Sequence, residues 1–311
     1  MIITRLLFLL FVTLGGVRAH CENYAVDEIE IWPDSAPLNK PVITLDETLD
    51  EEQKRFRQIS VPSIFLFRKS DVRKPGPALL YIPGGGYANV SIGRDRGKEW
   101  ANLFFSMGFT TVAVLKYRLP DTRIVEHQHK VPLLDAQQAL ATLHRNASSW
   151  QIDREKIGVM GASAGGHLAA SLSNLSGEIL APGILPEELA HSFSILRVPV
   201  ITFTDPYRHE GSYHRLLGDR ASDKDLMHLF SLEHQVTSRT PPTFLVYATD
   251  DTSVPYQNSL LYASQIEKHG VPVTTVQLER GGHTFGLDRK VVDKDWTLDL
   301  RKWVQQTVHD N

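Results

Sequence analysis

The chain has 311 residues, with 33 Lys and Arg against 36 Asp and Glu, for a formal net charge of -3. That balance supplies no basic field for a phosphate backbone and argues against a nucleic-acid partner. The length suits one large domain, and no Pro/Gly/Ser-rich stretch is long enough to separate two. The single cysteine, Cys21, leaves no intrachain disulfide, so stability must come from the core.

At the start of the chain, Arg5 precedes a short apolar run that ends at Gly15 and Gly16, and Val17-Arg18-Ala19 then offers small residues at a cleavage point. Residues 1–19 are therefore expected to be a signal peptide, because the run is shorter than the roughly 20 apolar residues that span a bilayer. The expected mature chain, 20–311, has no membrane span and is secreted or periplasmic. Acceptor patterns for N-glycosylation occur at Asn89, Asn146 and Asn174, and they matter only in a host that glycosylates.

Beyond a polar entry segment, short β-branched and aromatic runs alternate with longer segments of helical period. Strands are predicted over 63–67, 78–82, 110–116, 156–160, 243–248 and 273–278. Several are too apolar to be half exposed, which calls for a mostly parallel sheet covered by helices on both faces. Helices are predicted over 100–105, 132–143, 164–172 and 256–268, with Pro132 acceptable in a first turn. A last helix places Trp296, Leu300, Trp303 and Val304 on one stripe.

The stretch 202–242 departs from this order. Its His209, His214, His228 and His234 match no compact metal-ligand spacing, so they read as solvated loop and helix residues, and the stretch could form a wall of a substrate pocket.

Gly161-Ala162-Ser163-Ala164-Gly165 follows an apolar strand and opens a helix. A nucleophile held on a sharp strand-to-helix turn needs small neighbours, because the backbone is strained and other chain segments approach closely. The pattern alone is weak; its strand and helix context makes Ser163 the candidate nucleophile. A serine hydroxyl needs a base, and Gly281-Gly282-His283 supplies a histidine in a glycine-rich loop after the strand at 273–278. The acid that orients it is sought between the two, where Asp250 and Asp251 follow the strand at 243–248.

Pro83-Gly84-Gly85-Gly86-Tyr87 ends another strand, and the amides of Gly85 or Gly86 together with Ala164 are expected to receive an oxyanion. The glycine run lacks a following Gly-Lys-Ser/Thr and is not a dinucleotide fingerprint. His167, Asp135, His129 and Tyr117-Arg118 read as supporting residues that pack or brace loops.

Taken together, Lys116-Tyr117-Arg118-Leu119, His129 through Asp135, Gly158 through His167, Asp251-x-x-Val254-Pro255 and Gly281-Gly282-His283-x-Phe285-Gly286 resemble the acetylxylan and feruloyl esterase-like branch of the α/β-hydrolases. The similarity runs from about Glu28 to the C-terminus. It implies an α/β-hydrolase fold and a cofactor-free carboxylic ester hydrolase acting on small-molecule or polysaccharide esters. The Asp-x-x-Val-Pro spacing selects Asp251 over Asp250 as the acid.

The implied activity is removal of acetyl or other short acyl groups from plant or algal polysaccharide. A serine peptidase of the same fold is the enzymatic alternative, although such enzymes usually carry a further large domain. A non-catalytic carbohydrate-binding protein on this scaffold would show a missing triad member, and none is missing.

Overall fold

A computed structural model describes residues 24–310 except 51, 53, 93 and 176, so the expected signal peptide at 1–19 lies outside the described residues. In chain order the strands are β1 (Tyr24–Glu30), β2 (Thr48–Asp50), β3 (Arg55–Arg57), β4 (Ser63–Lys69), β5 (Gly76–Ile82), β6 (Val90–Ser91), β7 (Thr111–Lys116), β8 (Ile152–Ala162), β9 (Phe193–Arg197), β10 (Thr243–Ala248) and β11 (Val273–Leu278). The helices are α1 (Arg94–Phe105), α2 (Val131–Arg145), α3 (Ala164–Asn174), α4 (Glu210–Leu217), α5 (Lys224–Leu229), α6 (Gln257–Lys268) and α7 (Trp296–Val304).

Eight strands form one sheet in the order β1-β4-β7-β5-β8-β9-β10-β11. Strand β4 is antiparallel to both neighbours, and every pairing from β7 to β11 is parallel. Every residue of β5, β7 and β10 is buried, which requires cover on both faces. On one side α2 packs on α3 over β5 and β8; elsewhere α1 meets α7 through Trp100 and Trp296, whose ring centroids are 6.3 Å apart. The sheet is thus the mostly parallel, helix-covered one the sequence predicts. A second sheet, β2-β3-β6, ties residues 48–57 to the strand just after the glycine run at Gly84. No described helix is long and apolar enough to cross a membrane.

Arg118 and Asp135 form a fully buried ion pair, both side chains 0% exposed, with the guanidinium Nη2 2.6 Å from Oδ1. The carboxylate also accepts from the Arg118 amide and from Trp32 Nε1, each at 2.9 Å, while Arg118 Nη1 donates to the carbonyl of Pro37 at 2.6 Å. Asp135 therefore braces the end of β7 and the entry segment, as read from the sequence. Asp135→Ala would strand a cation out of water, and chemical denaturation of the variant is expected to show a loss of about 3–5 kcal/mol.

The three acceptor asparagines are all engaged within the fold. Asn89 is buried, Asn146 Nδ2 donates to the Thr142 carbonyl at 2.9 Å, and Asn174 bonds Ala170, Tyr262 and Thr240.

Candidate active site

Four loops converge at the carboxyl ends of neighbouring parallel strands, the edge where an open α/β sheet offers a crevice. They follow β5, β8, β10 and β11 and carry the glycine run, Ser163, Asp251 and His283 respectively.

Ser163 sits between β8 and α3 at φ 55° and ψ -124°, a conformation that costs a side-chain-bearing residue about 1–3 kcal/mol. The amide of Ser163 donates to the Arg197 carbonyl, and its carbonyl accepts from the amides of His167 and Val200, so its surroundings hold the turn. The flanking glycines are required sterically. A Cβ on Gly161 would lie 2.2 Å from the Gly165 carbonyl oxygen, and one on Gly165 would lie 2.3 Å from that of Ile82.

His283 Nε2 is 2.7 Å from Ser163 Oγ, and its Nδ1 is 2.7 Å from Asp251 Oδ2. The Asp251 side chain is 2% exposed. Burial opposes its charge, but the bond and charge of His283 and the amides of Val254 and Ser253 outweigh it and hold the carboxyl below the usual aspartate range. An ionised Asp251 keeps the proton on Nδ1 and leaves Nε2 free to accept from Ser163. Asp250 instead accepts from the amides of Gly281 and Gly282, at 3.0 and 2.7 Å, and so braces the histidine loop. Asp251, the aspartate that the Asp-x-x-Val-Pro spacing selects, is thus the one that lies against His283, and its neighbour holds the loop.

The glycine run wraps back on itself: the Gly85 carbonyl accepts from the Ala88 and Asn89 amides, and a Cβ on Gly85 would lie 2.0 Å from the Asn89 carbonyl oxygen. Gly85 and Gly86 have φ of 139° and 62°, open to glycine. The amides of Gly85, Gly86 and Ala164 have no hydrogen-bond partner among the described residues, so three donors are open on the glycine loop and at the start of α3.

Tyr87 also has a positive φ, 58°, and its hydroxyl reaches His167 Nδ1 at 2.9 Å. His167 Nε2 lies 2.9 Å from the Phe230 carbonyl, which can only accept, so Nε2 carries the proton and Nδ1 accepts from Tyr87. Burial lowers the His167 pKa to about 4 and keeps the ring neutral in this role. One histidine thus ties the glycine loop, the helix that follows Ser163 and the 202–242 segment together. The sequence placed His167 as a core or supporting residue without identifying those partners. Tyr117 adds a second tie, donating from its hydroxyl to the Pro83 carbonyl at 3.1 Å.

Within 202–242, His214 pairs with Glu210 and His228 stacks on His234, as side chains outside any site. His209 differs from the solvated reading: it is half-buried, its Nδ1 accepts from the Ser212 amide, and it feels the charges of His283 and Asp251. Arg215 of α4 donates from Nη1 to the Gly86 carbonyl at 3.2 Å. Neither residue carries a local sequence signal, because only the folding of 202–242 over the glycine loop brings them there. A cleft of ≈ 440 Å³ opens beside Asp251, lined in part by His209, Ser253 and Tyr256. Another cavity, of ≈ 460 Å³, includes Arg154 and Glu155 at the opposite end of β8, where Arg145 and Glu188 are paired with each other. Among the described residues no group of three or more His, Cys, Asp or Glu side chains could hold a metal ion.

A protein-family model described as BD-FAE matches residues 64–266, the span from β4 to α6. The chain is 35% identical over 227 residues to endo-1,4-beta-xylanase B of Butyrivibrio fibrisolvens, a match covering 72% of this chain and 34% of the relative. It is 30% identical over 236 residues to an acetylxylan esterase of Xylanibacter ruminicola, covering 74% of this chain and 45% of that protein. The chain therefore spans less than half the length of either of these relatives. Among solved structures, an acetyl ester-xyloside bifunctional hydrolase from Caldicellulosiruptor lactoaceticus superposes with a TM-score of 0.73 at 31% identity, covering 90% of this chain and 96% of that one.

Proposed function

The chain belongs to the BD-FAE family of α/β-hydrolase esterases, and from that premise we propose that it is an extracytoplasmic carboxylic ester hydrolase that removes acetyl or other short acyl groups from plant or algal polysaccharide or oligosaccharide. The observation that carries the reading is the unbroken row from Asp251 through His283 to Ser163, two contacts of 2.7 Å each, beside unoccupied amides. The acetylxylan esterase among its relatives supports the substrate class, and the character of residues 1–19 supports the location.

In the proposed reaction Ser163 Oγ attacks the ester carbonyl as His283 Nε2 takes its proton. The carbonyl oxygen becomes an oxyanion facing the amides of Gly85 or Gly86 and of Ala164. Collapse breaks the bond to the alcohol, which leaves with the proton from His283. Water then repeats the sequence on the acyl-enzyme, its proton going to His283 and back to Ser163 as the acid departs.

The test is a series of p-nitrophenyl esters of increasing acyl length, followed by acetate release from acetylated xylan. Turnover greatest for acetate and steeply reduced for long chains is the expected result. Turnover confined to aminoacyl or peptide substrates would replace this reading with a peptidase.

A further inference from the structure

Arg215 projects from α4 beside the glycine loop. A Cβ on Gly86 would lie 3.5 Å from its Nη1 and 3.8 Å from His209 Cε1, so both side chains lie against the loop where a side chain at 86 would project. Several other arginines are matched with carboxylates, among them Arg123 with Asp121, Arg145 with Glu188, Arg208 with Glu210 and Arg220 with Asp223, while Arg280 and Arg301 bond backbone carbonyls away from the site. The nearby acids of the 205–215 segment are taken up in the same way, since Asp205 pairs with Arg208 and Glu210 with Arg208 and His214. Arg215 has no carboxylate partner among the described residues. Its side chain donates to the Gly86 carbonyl, which leaves most of its five N–H donors open.

His209 supplies a second donor. Its Nδ1 faces the Ser212 hydroxyl at 2.8 Å and the Ser212 amide at 3.2 Å; the amide can only donate, so Nδ1 accepts and the proton of the neutral ring sits on Nε2, which has no partner among the described residues. Burial, with the charges of His283 and Arg215, lowers its pKa and favours that neutral form.

We propose that Arg215 and His209 form an anion subsite at the mouth of the active site and that the natural substrate is an ester bearing a carboxylate close to the scissile bond. The inference rests on the esterase reading above and narrows its substrate class to acidic esters. The planar fork of Arg215 suits a carboxylate held by two parallel hydrogen bonds, with His209 Nε2–H as a further donor. The carboxylate can belong to the acyl group, as in a dicarboxylic monoester, or to the alcohol, as in an acylated uronic acid.

The experiment compares kcat/KM by pH-stat for two pairs of similar size that differ in one carboxylate: monoethyl glutarate against ethyl pentanoate, and acetylated glucuronic acid against acetylated glucose. Wild-type protein is expected to prefer the acidic member of one pair by about tenfold or more, and the pair identifies where the carboxylate resides. Arg215→Gln is expected to abolish that preference. Arg215→Lys, which keeps the charge and loses the fork, should retain part of it, and added salt should weaken it in the wild type. Because each readout is a ratio of two esters on one preparation, a general loss of folded enzyme does not mimic it. Serine-dependent turnover with no preference for the acidic member of either pair, or a preference that survives in Arg215→Gln, overturns the subsite and leaves the esterase reading standing. Absence of Ser163-dependent turnover of all four esters overturns the esterase reading, and the subsite with it.

Discussion

Ser163→Ala is expected to lower kcat/KM for a short acyl ester by about 10⁴–10⁶, with little change in the denaturation midpoint. The large loss follows from the proposed division of labour: without Oγ, the His283 base has no nucleophile to activate, and only the free amides of Gly85, Gly86 and Ala164 still favour the oxyanion. The fold should tolerate the change, because alanine removes one oxygen and leaves the turn held by backbone bonds to Arg197, His167 and Val200. Parallel ester kinetics and urea denaturation check both halves, and a variant retaining a tenth of the wild-type rate would contradict the nucleophile assignment.

Asp251→Asn and Asp250→Asn should differ by orders of magnitude although the residues are adjacent. At 251, an asparagine amide can donate to His283 Nδ1, which moves the ring proton to Nε2 and leaves no acceptor facing Ser163. A fall in kcat of about 10⁴ is expected. At 250, the asparagine oxygen can still accept from the Gly281 and Gly282 amides, so the histidine loop keeps its brace with a weaker, uncharged acceptor. The expected loss there is about tenfold or less. Equal effects at the two positions would contradict the assignment of Asp251 to the histidine.

Much of the sheet could be read directly from the chain. The strands at Thr243–Ala248 and Val273–Leu278 have the bounds that their β-branched runs predict, and the helix that begins at Ala164 starts where the small residues end the turn. Strand β1 gave no such signal: five of its seven residues are exposed, and it is a strand only because its register against β4 supplies partners. Strand β8 begins at Ile152, four residues before the predicted start. Its polar first half pairs with β5 only at Gly76, so composition there carries little information.

The same contrast holds at the site. Gly161, Gly165 and Gly85 are legible because a Cβ at each would meet backbone within 3 Å, a local constraint that leaves its mark in the sequence. The Tyr87–His167–Phe230 tie and the approach of Arg215 to Gly86 depend on which elements come to lie side by side. Residue spacing does not encode those approaches. They emerge only when the 202–242 segment is seen folded over the glycine loop.

The central claim, that Ser163 is an activated nucleophile, is tested most directly by covalent trapping. The wild-type protein is treated with diethyl p-nitrophenyl phosphate, and the modified peptide is located by mass spectrometry. A single adduct on the peptide carrying Ser163, formed together with p-nitrophenol release and loss of ester turnover, is the predicted result. Esterase turnover that persists without an adduct, or an adduct on another residue while Ser163 stays unmodified, would contradict the account.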